Sequence, residues 1–151
     1  MEATVDKNYK EVASLGVPWE KAYGYTQAVR VKNTIYVAGQ LSHDSDGNLV
    51  GAASVDSSGV ATDTSNMELQ MRTTYANAAK VLAQFGAGLQ HVVEEMLYVT
   101  DMDAAFAVAG AVRKAAYGSD TPQCASTIAQ VARLAFPQQL VEIRFTAVLP
   151  E

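Results

Sequence analysis

The sequence predicts an α+β fold, a two-layer sandwich in which two helices cover one face of a mixed sheet of about six strands. Three observations lead there. Several short segments alternate apolar and polar residues, which is strand spacing; two longer ones repeat apolar residues at helical spacing; and the two kinds follow one another as β-β-β-α-β-α-β-β. The chain has 151 residues, 49% of them hydrophobic, and reads as one domain over 1–151 with 1–24 as an N-terminal arm. A chain of this size buries about 68–70% of its unfolded surface and needs no covalent staple.

The arm mixes polar residues with Gly16, Pro18 and Gly24, and holds at most a short helical turn around Lys7–Ser14. Residues 26–31 and 34–39 are apolar or β-branched and flank Lys32-Asn33, where Asn33 tolerates the positive φ of a two-residue hairpin turn. Asp44-Ser45-Asp46-Gly47-Asn48 is a turn cluster leading into a short Leu49-Val50 strand. Residues 51–65 are small and polar and read as a loop. A helix follows, with Thr64, Ser65 or Asn66 as its cap, Glu68 in its first turn, a stripe of Met71, Tyr75, Ala78, Ala79, Leu82 and Phe85, and Gly86 as its stop.

Residues 92–100 read as a strand. A second helix runs from about Asp103 to Tyr117, capped by Asp101 or Asp103 and stopped by Gly118, with Phe106, Ala109, Val112, Ala116 and Tyr117 as its buried stripe. Two strands close the chain: 125–131, and a last one in which Val141, Ile143, Phe145 and Ala147 oppose Glu142, Arg144 and Thr146. Two helices cover one side of about six strands, so self-association is expected to cover the other.

Several chemistries are excluded by counting. One cysteine rules out an internal disulfide framework, and two histidines leave little for a zinc cage, so no metal site and no cofactor are expected. A net charge of −5 and a pI near 5.0 argue against a nucleic-acid partner. No apolar run is long enough to span a bilayer, and no charged start leads into an apolar run with a cleavage site; no membrane partner and a cytoplasmic location are expected. Gly86-Ala87-Gly88 follows a helix and lacks a third glycine, so it is no dinucleotide loop. The Asp44–Asn48 cluster has its glycine misplaced for a calcium loop and lacks the closing Glu, which leaves a turn.

Four segments, Tyr25-Thr26-Gln27-Ala28-Val29, Ile35-Tyr36-Val37-Ala38-Gly39-Gln40, Val131-Ala132-Arg133-Leu134 and Val141-Glu142-Ile143, together resemble the Rid (RidA/YjgF) family, the reactive intermediate deaminases once called L-PSP endoribonuclease-like. The similarity runs from about Tyr25 to Leu149. It implies a chorismate-mutase-like fold, a homotrimer with a barrel-like core, and small-molecule sites in clefts between subunits. In the imine-hydrolysing branch an arginine binds the substrate carboxylate, a glutamate positions water, and a tyrosine and main-chain groups complete the site. Carried over, the glutamate is Glu142, the tyrosine Tyr25, and the main-chain contacts Gly39 and Ile128; Ser126 stands where the arginine belongs.

That exchange removes a charge-assisted bidentate contact that one hydroxyl does not replace. Arg144, two residues beyond Glu142 and roughly 7 Å along the same face, either supplies the displaced cation or forms an ion pair with Glu142 or a neighbouring subunit. His43, just past the second strand, is either an acid–base group at the site mouth or a surface loop residue. His91 reads as a turn residue, and Cys124 as an idle thiol with nothing beside it to lower its pKa. Three functions follow: deamination of an enamine, imine or aminomuconate-like metabolite with water held by Glu142; non-catalytic binding of a small metabolite; and the endoribonuclease activity of the older family name, which the acidic chain disfavours.

Overall fold

The structure, a computed structural model, describes residues 8–151. Six strands form one sheet: β1 (Lys10–Ala13), β2 (Ala28–Val31), β3 (Thr34–Gln40), β4 (Val92–Val99), β5 (Ala125–Gln130) and β6 (Val141–Val148). Three helices, α1 (Pro18–Tyr23), α2 (Met67–Ala83) and α3 (Met102–Tyr117), complete the α+β architecture. The strand order is β1-β2-β3-β6-β4-β5. Every neighbouring pair is antiparallel except β4–β5, and α3 is the crossover that a parallel pair requires.

The expected sheet of six strands is present with one member exchanged. Leu49 makes only an isolated bridge to His43, whereas residues 10–13 pair with β2 as an edge strand. Of the arm's expected turn at Lys7–Ser14, Lys7 lies outside the described residues and the rest contains β1 instead of a helix. The arm's true helix is α1, with Pro18 at its start and Gly24 in the left-handed conformation (φ 90) just past its end. In the β2–β3 hairpin the left-handed residue is Lys32 (φ 54) and not Asn33.

The two long helices carry the core. On α2, Met67, Met71, Tyr75, Ala78, Val81 and Leu82 are buried, each large side chain adding about 1.5–3 kcal/mol on full burial. Its first residue follows Asn66, which makes no side-chain capping bond, so packing rather than a cap holds this end. α3 is capped as expected: the Asp101 carboxylate accepts from the Ala104 amide at 2.9 Å, and Gly118 closes the helix at φ 64. Asp101→Ala is expected to cost about 1 kcal/mol in urea unfolding. Phe106 departs from its predicted place in the stripe: it is 70% exposed, and the inward line on α3 runs through Ala105 and Val112.

The sheet is two-sided, as the alternation in β6 predicts. Val141, Ile143, Phe145 and Ala147 are buried in the core under the helices together with Leu97 and Val99. The opposite face presents Tyr36, Tyr98, Glu142, Arg144 and Thr146, with Tyr36 and Arg144 exposed. Buried amides on α2 fix the loops at the ends of β3 and β6. Asn77 donates to the carbonyls of Leu41 and His43, and Gln70 donates to Gly51 and Gln138 while accepting from the Leu140 amide. Glu142 starts two residues past that last anchor.

Candidate functional site

A cavity of about 390 Å³ opens where α1, the end of β3 and the start of β6 meet. Trp19, Tyr23, Tyr25 and Phe136 supply its aromatic wall; Ala38, Gly39, Leu41 and Ala135 supply the rest, and Glu142 is the one charged residue lining it. A mostly aromatic concavity with one placed ionisable group is the usual form of a small-molecule site.

Glu142 reaches this cavity because β3 is irregular between Val37 and Gln40, opposite β6. Gly39 sits in that irregularity, and a Cβ built there would lie 2.8 Å from Glu142 Cδ, so only glycine leaves room for the carboxylate. Burial pushes the Glu142 carboxyl above its ordinary pKa, and the Gln139 side chain nearby offsets part of that rise. The obstacle to a Cβ at position 39 is a flexible side chain. Gly39→Ala is therefore expected to shift the carboxylate while keeping the fold, with the melting temperature nearly unchanged in a thermal unfolding scan.

Tyr25 is held by a run of buried amides. Gln27 donates to the Tyr25 hydroxyl at 3.3 Å and to Glu20 at 2.8 Å, and accepts from Gln40 at 2.9 Å. Glu20 also accepts from Ser14 and the Leu15 amide, which ties α1 to the sheet edge. Burial raises the Tyr25 pKa, and the nearby carboxylates of Glu20 and Glu142 raise it further, so the phenol keeps its proton. The site thus pairs a carboxyl that can accept a proton when ionised with a neutral hydroxyl able to donate.

Ser126 and Ile128 lie elsewhere in the protomer. In register, Ser126 pairs with Glu95 and Glu142 with Tyr98; Glu95 and Tyr98 stand three apart on β4, on opposite faces. Ser126 and Ile128 instead line a second cavity of about 290 Å³ against α3, with Phe106, Gly110 and Arg113. Arg113 is the cation lining that cavity, and its Nε donates to the buried Glu95 carboxylate.

A family model described as Endoribonuclease L-PSP matches residues 18–149. The chain belongs to this family. Solved structures agree: a Mycobacterium tuberculosis member of the YjgF/YER057c/UK114 family is 27% identical, covers 93% of this chain and 99% of its own, and has a TM-score of 0.72. RidA from the Antarctic bacterium Psychrobacter sp. is 28% identical over 83% of this chain and 88% of its own, with a TM-score of 0.67. A Thermotoga maritima protein described as a putative endoribonuclease is 25% identical over 100% of both chains, with a TM-score of 0.69.

Within this L-PSP chain the structure brings Glu142, Tyr25 and Gly39 together and separates them from Ser126 and Ile128. Arg144 is exposed on the open sheet face and, among the described residues, makes no ion pair with Glu142. His43 is not a surface loop residue: it is 5% exposed, packed behind the cavity residue Trp19 with the rings edge to face at 5.1 Å, and is not itself among the lining residues. Its Nδ1 donates to the Asp44 carbonyl at 2.8 Å. The Asp44–Asn48 cluster is a turn: the Asp44 carboxylate accepts from the amides of Asp46 and Asn48, and Gly47 packs on Trp19 with φ 86.

His91 accepts from the Gly88 amide in a short turn at 89–91. Burial raises the Cys124 pKa, which fits an unreactive thiol. Among the described residues no three His, Cys, Asp or Glu side chains gather as a metal site, and no helix is long and apolar enough to cross a membrane. The aromatic site residues that the sequence did not point to are Trp19, Tyr23 and Phe136, of which Trp19 and Phe136 pack edge to face at 5.4 Å. The lone tryptophan beside a proline was their one available signal.

Proposed function

We propose that the chain is a Rid-type small-molecule hydrolase that deaminates an enamine, an imine or an aminomuconate-like metabolite, working in a cleft between the subunits of a cytoplasmic homotrimer. The observation that carries this is Glu142: a half-buried carboxyl with raised pKa on the wall of an aromatic cavity, with Gly39 against it and Tyr25 lining the same cavity. Ionised, it takes a proton from water as the oxygen adds to the imine carbon. That proton passes to nitrogen to give the carbinolamine; transfer of its hydroxyl proton to the same nitrogen, through Glu142, then breaks the carbon–nitrogen bond, and a carbonyl product and ammonia leave. Tyr25, which keeps its proton, donates to the developing hydroxyl or amine.

The trimer rests on the open sheet face, where Tyr36 is 55% and Val148 42% exposed. Light scattering is expected to give about 48 kDa, three times 16.1 kDa; a mass of one chain would reject the intersubunit cleft. The activity is tested by ammonia release from a panel of enzymatically generated enamines and imines, and no acceleration for any of them would reject the hydrolase.

A second reading, a non-catalytic metabolite-binding trimer, is favoured by one observation. Ser126 replaces the carboxylate-binding arginine, and Arg113 beside it is already committed to Glu95.

A further inference from the structure

The cavity around Glu142 is chemically one-sided, and that bears on what enters it. Its rings form two edge-to-face pairs: Trp19 with Phe136 at 5.4 Å and 68°, and Tyr23 with Tyr25 at 5.7 Å and 67°. Within each pair the ring planes are steeply inclined, so the wall offers ring faces in more than one direction. Each ring face carries partial negative charge. The one charged group among them is a carboxyl, and no lysine, arginine or histidine lines the cavity.

We infer that this cavity takes an organic cation, a protonated amine or an iminium group on an apolar body, seated between the aromatic rings and Glu142. Aromatic walls with a carboxylate are the recognition chemistry of substituted ammonium groups, whereas an anionic group would meet Glu142 and the ring faces with no neutralising side chain among this protomer's lining residues. A volume of about 390 Å³ holds a ring-sized body together with the cationic head. The neighbouring cation also favours the ionised form of Glu142, which burial alone opposes.

This deepens the proposed function, since an iminium is the electrophilic form of an imine. It stands on the same site but does not require turnover.

Trp19 is the only tryptophan in the chain and lies in the cavity wall, so its emission reports occupancy directly. The probes are benzyltrimethylammonium, phenylacetate and benzyl alcohol, titrated into the full chain by fluorescence and calorimetry. Benzyltrimethylammonium is expected to bind saturably and at least about 10-fold more tightly than phenylacetate. Glu142→Gln and Phe136→Leu are each expected to weaken it by about 3–30-fold, while Phe136→Tyr, which keeps the ring, retains affinity.

Circular dichroism separates lost binding from lost folding. Phenylacetate binding as tightly as the cation would overturn the inference and favour Arg144 as an anion anchor. Absence of cation binding, or unchanged affinity in Glu142→Gln, would overturn it as well. Cation binding without ammonia release from any imine retires the hydrolase and leaves this inference standing. Ammonia release confined to carboxylate-bearing imines does the reverse.

Discussion

Glu142→Gln is expected to lower ammonia release by about 10²–10⁴-fold, the usual contribution of a positioned general base. The amide keeps the shape of the side chain and its place beside Gly39 but cannot take a proton from water. Undiminished turnover would remove Glu142 from the mechanism. The same variant has a stability signature of defined sign. Burial raises the folded-state pKa of Glu142 above its unfolded value, so ionisation opposes folding as pH rises through the window between the two. The glutamine variant is therefore expected to melt above the wild type at neutral pH. The difference should vanish below about pH 4, where the carboxyl is protonated in both states.

Arg113→Met is the second large effect, expected to cost about 3–5 kcal/mol of stability and to lower the melting temperature on the order of 10 °C. Glu95 is 1% exposed and accepts from the Tyr75 hydroxyl at 2.8 Å, the Tyr117 hydroxyl at 3.0 Å and the Arg113 guanidinium. Burial and the Glu95 charge push both phenols far above their ordinary pKa, so both stay donors. Removing the guanidinium strands a carboxylate between two neutral hydroxyls under the helices. Pairing Arg113→Met with Glu95→Gln removes the stranded charge and leaves the phenols an acceptor, so the double variant is expected to recover most of the loss in urea unfolding. A single-variant loss below about 1 kcal/mol would show that the pair does not hold the fold.

The parts of the fold legible in the sequence are those where one short-range rule decides the outcome. β6 alternates strictly, and α3 carries both an aspartate cap and a glycine stop. β1 was not legible because it is four residues long on the sheet edge with only Ala13 buried, too short to alternate visibly. α1, at six residues, is too short to show a helical period; only the Pro18-to-Gly24 bracket marks it. Phe106 was misplaced because hydrophobicity outranked phase: Ala105 and Val112, one small and one medium side chain, set the buried line on α3.

The site divides in the same way. Glu142, Tyr25 and Gly39 sit in recognisable segments, and β3 brings the glycine against the glutamate. Trp19 and Phe136 come from α1 and from the loop before β6 and meet only in three dimensions. Ser126 is adjacent to Glu142 only in a linear reading of the last two strands. Because β4 lies between β5 and β6, the register puts the two residues on opposite faces of one protomer.

The proposed role of the half-buried Glu142 carboxyl is to activate water. Its most direct test is the pH dependence of kcat/KM for ammonia release, measured for the wild type and for Glu142→Gln. The wild-type profile should rise with pH through a single ionisation above about 4.3, the ordinary glutamate value, and that inflection should be missing from the residual activity of the variant. A flat wild-type profile, or the same inflection in the variant, would contradict the claim.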